Sequence, residues 1–252
     1  MKLEELVTFL DKELDLHSFK RADISLNGLQ VGDLDQDIQK VACSVDASLE
    51  VFQKSVEIGA QMLFVHHGLF WGKCIALRGI HYERFRCLIN NSLALYAAHL
   101  PLDAHPLWGN NKGLADKLGL ESMKPFGQYN DKMIGFSGKF SEPLEMKTII
   151  QKLALEEKNI TIWDFHSRPI SSVAIISGDA PREVLQAIDE EMDLYITGES
   201  SHALYHECKE AGMNVIFAGH YETETYGPRL VGEMLSEKFD LDVTFLDVPT
   251  GL

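Results

Sequence analysis

The sequence predicts an α/β protein of two similar lobes, each a mostly parallel or mixed sheet flanked by helices. Three observations predict it. Short apolar runs of strand length alternate with helical patterns along the chain. The two halves carry related motifs in the same order. Polar residues capable of chemistry fall directly after apolar runs, where open α/β sheets bind ligands.

The chain has 252 residues, a net charge of −15, 45 % hydrophobic and 24 % charged residues. That balance is globular and excludes a disordered or low-complexity chain. An apolar run of about 20 residues, as a membrane span requires, is not found. The acidic balance argues against a nucleic-acid binder, which needs clustered Lys and Arg. It suits divalent cations. Cys43, Cys74, Cys87 and Cys208 have no CxxC spacing, so free thiols in a reducing cytoplasm are expected.

The N-terminal MKLEELVTFLDKELDL reads as an amphipathic helix, not a secretion signal. Strands are expected at Val41–Val45, Met62–Val65 and Leu93–Ala98. Helices are expected at Leu49–Ile58, Tyr82–Ile89 and Asn111–Leu118, the first and last closed by Gly59 and Gly119. NGLQVGD, from Asn27 to Asp33, is expected to be a Gly-rich loop, and polar Pro125–Asp131 a boundary. The first lobe is then residues 1–125 and the second 126–252, with 220–252 able to pack back on the first.

In the second half, strands are expected at Met133–Phe140, Ile160–Phe165, Val173–Ser177, Leu194–Thr197, Val215–Ala218 and Val243–Val248. Helices are expected from Pro143 to about Glu156, Pro181–Glu190, Ser201–Ala211 and Pro228–Phe239. Pro143 fits a first helical turn.

The halves match motif by motif. DASLEV from Asp46 parallels DAPREV from Asp179, and MLFVHHG from Met62 parallels LYITGES from Leu194. LYAAHLPLD from Leu95 parallels IFAGHYETE from Ile216, which aligns His99 and Asp103 with His220 and Glu224. Duplication explains this; chance likeness between α/β halves is the alternative. Duplication implies a pseudo-two-fold axis, with strand ends facing a shared cleft that holds a metal site.

The residues at the strand ends are His66, His67, His99, Asp103, Glu199, His220 and Glu224. Imidazole and carboxylate suit Zn, Mn, Fe and Ni, and so many exceed what one catalytic zinc needs. A carboxylate can bridge two cations. Each has a plainer reading. His66 and His67 point to opposite faces in a regular strand, unless the turn into Gly68 brings both to one rim. His220 and Glu224 share a helix face at i, i+4, as many surface pairs do. Asp103 is otherwise a turn residue between Pro101 and Pro106, and Glu199 a helix-start carboxylate. His105 is a ligand or a surface histidine. Phe70, Trp71 and Trp108 stack a base or serve packing, and Arg78 and Arg84 hold an anion or are solvated.

NGLQV, FVHHGLFW, HLPLDAHP and AGHYETE together resemble the NGG-interacting factor three-like family, also named GTP cyclohydrolase I type 2 homologues, in its short bacterial form. The resemblance spans Asn27 to Val248. It implies a two-lobed protomer, a dinuclear metal site and a hexameric ring. By motif position it implies the metal ligands His66, His67, Asp103, His220 and Glu224. It puts His99 beside the site and Glu199 close to the metals.

The expectation is therefore a metal-dependent hydrolase of a nucleotide or related heterocycle, GTP cyclohydrolase-like, with two divalent ions per chain (Fe, Mn, Zn or Ni). Glu199 would accept or relay a proton and His99 assist. The alternative is a metal carrier or protein-interaction adaptor without turnover.

Overall fold

The computed structural model describes residues 1–154 and 160–252. It divides into two compact units, one of residues 1–102 with 227–248 and one of residues 103–226 with 249–252.

The first unit starts with the helices α1 (Leu3–Glu13) and α2 (Leu16–Phe19). β1 (Gly28–Val31) follows, so part of the expected Gly-rich loop is a strand. It pairs antiparallel with β4 (Ala94–Ala97) at the sheet edge. A four-residue edge strand with half-exposed side chains lacks the apolar run that marks its neighbours. Those are β2 (Lys40–Asp46) and β3 (Met62–His67), whose interiors are buried on both faces. β2, β3 and β4 are parallel, which is why they read as continuous apolar runs.

Helix α3 (Leu49–Glu57) links β2 to β3. Ser48 caps it by accepting the Val51 N–H, and Gly59, at φ +73°, turns the chain out of it. Helix α4 (Ile80–Asn90) links β3 to β4. Val51, Phe52, Phe85 and Leu88 of these helices pack on Leu63, Val65, Leu95 and Ala97. The short α5 (Leu100–Ala104) contains the crossing into the second unit.

That unit opens with α6 (Asn110–Leu118), ended by Gly119 at φ +74°. Next comes an antiparallel hairpin of β5 (Glu121–Tyr129) and β6 (Lys132–Leu144). The polar stretch Pro125–Asp131 is thus mostly paired strand. Its polarity reflects an edge strand with most side chains exposed. Pro143 lies in β6, not in a helix, within a break between Lys139 and Leu144 in the pairing with the strand Ile170–Ile175, where its missing N–H costs no ladder bond. Helix α7 runs only over Met146–Leu153. The expected end near Glu156 lies outside the described residues.

β7 is Thr161–Trp163, shorter than expected. The Phe165 and His166 N–H groups donate to Asn214 Oδ1 instead of extending a ladder. β8 (Ile170–Ile175), α8 (Val184–Asp189), β9 (Leu194–Thr197), α9 (Tyr205–Ala211) and β10 (Asn214–Phe217) follow. A 3-10 turn leads into α8 over Pro181–Glu183 and into α9 over His202–Leu204. The order is β5-β6-β8-β9-β10-β7, with β8, β9 and β10 parallel. Leu114, Leu118, Ile149 and Leu153 cover Val173, Ile175, Leu194, Ile196 and Ile216.

α10 (His220–Thr223) ends that run. α11 (Tyr226–Phe239) and β11 (Asp242–Phe245) then complete the first unit. Its sheet order is β1-β4-β3-β2-β11, with β11 parallel to β2. Gly232 lets α11 lie close on the strands, since a Cβ there would stand 3.0 Å from Val243 and 3.2 Å from Cys43 Sγ. The two units share a topology. Each has three parallel strands in sequence order, joined by helices, with an antiparallel edge strand beside the third. Among the described residues no helix is long and apolar enough to cross a membrane.

Candidate metal centre

In the first unit, β3 ends in His66 and His67, and β4 leads directly into His99. Strand alternation does not separate the two adjacent rings at the open sheet end. Their centroids are 4.6 Å apart, and His99 lies 5.1 Å from His66 and 5.7 Å from His67. Potential ligand atoms of all three fall within 4.8 Å of one another.

Each ring is oriented through Nδ1. His66 Nδ1 lies 2.9 Å from the Ala98 carbonyl oxygen, His67 Nδ1 2.8 Å from Asp46 Oδ1, and His99 Nδ1 3.0 Å from Asp23 Oδ1. A carbonyl or carboxylate oxygen only accepts, so Nδ1 carries the proton, and a ring that is neutral keeps its lone pair on Nε2. This is the arrangement by which metal-binding histidines are usually held.

The supporting carboxylate Asp23 is buried. Burial pushes its carboxyl pKa up. Hydrogen bonds from His99, Asn27 and the Ser25 N–H, with the charge of His99, outweigh that and hold it below the ordinary carboxylate value. Asn27 Oδ1 accepts the His99 N–H at 2.7 Å, and Gln30 Oε1 accepts the Leu69 N–H at 2.8 Å. Gly68 makes room for Gln30, because a Cβ there would lie 2.2 Å from its Nε2.

In the second unit, Asp103 is 5 % exposed and Glu224 3 % exposed. They offer ligand oxygens within 4.8 Å of each other. Asp103 Oδ1 accepts from Asn110 Nδ2 and Ser177 Oγ, both at 2.9 Å. Asn111 fixes the surrounding loops through the Ser177 N–H and the Ile134 carbonyl. His220 lies between two acids, Nδ1 2.5 Å from Glu199 Oε1 and Nε2 3.1 Å from Glu224 Oε2. Burial lowers its pKa, but Glu224 and then Glu199 outweigh this and raise it to about 9. Two buried carboxylates this close repel unless a cation lies among them. A proton on His220 supplies part of that charge, and a divalent cation supplies more. The donor set therefore fits a metal.

Sequence reasoning did not find the residues that hold these donors. Asn27 and Asp46 stand within motifs already noted, NGLQVGD and DASLEV. Asp23, Asn110, Asn111 and Ser177 have no sequence signal, since they come from loops and helix starts. Other candidates fall elsewhere. His105 Nδ1 accepts the Trp108 N–H at 3.0 Å and caps its own loop. Phe70 packs on Phe85. Arg78 and Arg84 have no role in either cluster.

Fold and donors together define a mixed α/β protein with grouped His and acidic side chains able to bind a metal. The family model for Duf34/NIF3 (NGG1p interacting factor 3) matches residues 1–251. A "GTP cyclohydrolase 1 type 2 homolog" of Archaeoglobus fulgidus is 42 % identical over 252 residues and the whole of both chains. Two solved structures are similar over the full length of both chains. TTHA1606 from Thermus thermophilus has a TM-score of 0.85 at 37 % identity. The protein ybgI, described as of unknown function, has a TM-score of 0.90 at 32 % identity. This chain belongs to the Duf34/NIF3 family.

Proposed function

We propose that the protein is a dinuclear metal-dependent hydrolase acting on a nucleotide or related heterocycle. The observation that carries this reading is the pair of donor clusters at strand ends. One consists of imidazoles with Nδ1 fixed and the lone pair on Nε2, the other of two buried carboxylates with His220. His66, His67, Asp103, His220 and Glu224 would hold two divalent ions. Bound there, such ions supply Lewis acidity and bring the pKa of water toward neutrality. Glu199 accepts or relays a proton, its Oε1 lying 2.5 Å from His220 Nδ1. His99, oriented by Asp23, assists. The names of similar proteins, homologues of a GTP cyclohydrolase, support a nucleotide as the substrate class. We further propose assembly into a homohexameric ring and residence in the cytoplasm, where free cysteines persist.

The test is metal analysis of protein purified without added metal, followed by a nucleotide panel read by chromatography. About two divalent ions per chain are expected, with loss of one or both in Glu224→Gln and Asp103→Ala. Turnover should vanish in His67→Ala. Retention of both metals in both acid variants rejects the ligand set. Full metal content without turnover of any heterocycle leaves a metal carrier instead.

A further inference from the structure

Trp71 borders the imidazole cluster of the first unit. Its ring centroid lies 4.9 Å from that of His99, nearly perpendicular, and 5.8 Å from that of His67. The indole is fixed, because Nε1 donates to the Gly68 carbonyl at 3.1 Å. Its backbone is fixed too. Trp71 bridges Ser25 in antiparallel fashion, and the Leu26 N–H donates to the Phe70 carbonyl at 3.0 Å. Yet Trp71 is 36 % exposed. Trp163 is different, since its ring packs edge-on against Phe217 and Tyr205. Trp71 combines an immobilised ring, partial exposure and imidazoles alongside. A flat ligand with polar atoms around its edge matches that combination, as indole takes the π-face of any base.

We propose that Trp71 is the stacking platform for the planar base of a purine-type nucleotide, whose polar edge then faces His67 and His99. This rests on the hydrolase reading for the position of the metals and names the substrate class of that site. The probe is guanosine 5′-monophosphate, with ribose 5-phosphate as the baseless control, titrated calorimetrically into the metal-loaded protein. Wild type should bind the nucleotide more tightly than the control. Trp71→Ala should weaken the nucleotide by about 5- to 150-fold, the range of one lost base stack, and leave the control unchanged. Trp71→Phe should recover most of the loss. Equal nucleotide affinity in wild type and Trp71→Ala overturns the proposal, as does a wild type that prefers neither probe. A change in oligomeric mass in Trp71→Ala also overturns it, because the indole is then a contact between copies. Metal content separates this result from the hydrolase reading. Unchanged metal with weakened nucleotide supports the platform even where no turnover is found.

Discussion

Replacing Gly178 by alanine puts a methyl group against the candidate metal ligands of the second unit. Gly178 has φ +69°, and a Cβ there would stand 2.2 Å from Glu224 Oε1 and 3.3 Å from His220 Nε2. The backbone has little freedom to retreat. Its N–H donates to Thr223 Oγ1 at 3.0 Å, and its carbonyl accepts the Gly198 and Glu199 N–H groups at 2.9 and 3.1 Å. Glu224 must therefore withdraw by roughly 1 Å to reach ordinary contact. The left-handed backbone costs alanine about 1–2 kcal/mol, and an off-rotamer Glu224 about 1 kcal/mol more. A loss of roughly 2–3 kcal/mol lowers Tm by about 4–12 °C in a chain this size. Metal distances tolerate only about 0.2 Å, so affinity should fall at least about 10- to 100-fold. Gly59→Ala is the control. It shares the left-handed backbone, at φ +73°, but has open space where the Cβ would stand. It should lose only the first 1–2 kcal/mol and bind metal normally. Thermal melts of metal-free protein and competitive metal titrations of both variants give the two quantities. Equal metal affinity in the two variants would refute the reasoning.

Two further predictions concern hydrogen-bonded acids. Asp23 accepts from the Ser25 and Leu100 N–H groups, Asn27 Nδ2 and His99 Nδ1. Asp23→Asn turns one oxygen into a donor that faces donors, so urea melts should show a loss of about 2–3 kcal/mol; a loss under about 0.5 kcal/mol contradicts the network. Asp193 is held below its ordinary pKa, because the Ser171 and Ser172 N–H groups, the Ser172 hydroxyl and Arg168 outweigh a burial that raises it. A depressed carboxyl stabilises the fold above its unfolded value near 3.8 and loses that contribution as pH falls through its lower folded value. The stability gap between wild type and Asp193→Asn should thus be widest near neutrality and shrink on acidification; a gap independent of pH refutes the assignment.

The parts of the fold legible from sequence were those with strong local signals. β2, β3, β4, β9 and β10 are buried on both faces, so each shows as an apolar run. The ends of those strands located His66, His67, His99 and His220 for the same reason. β1 and β5 carry no apolar run, because edge strands with most side chains partly or fully exposed look like polar loops. Pro143 suggested a helix start because its chemistry suits a strand end equally well. The acids Asp23 and Asp46 act on His99 and His67 from 76 and 21 residues away. No spacing rule links such pairs, which only tertiary folding brings together.

The division of the chain between its units sets an order of completion during synthesis. Residues 103–226, nearly all of the second unit, form one continuous stretch. The first unit waits for α11 and for β11, which pairs with β2 from Asp242 onward. Until those residues leave the ribosome, β2 presents an unmated edge, and the face around Cys43 lacks the helix that Gly232 admits. The half of the molecule translated first thus still lacks a helix and a strand when residues 103–226 have been made, which leaves β2 open to wrong pairing in the nascent chain.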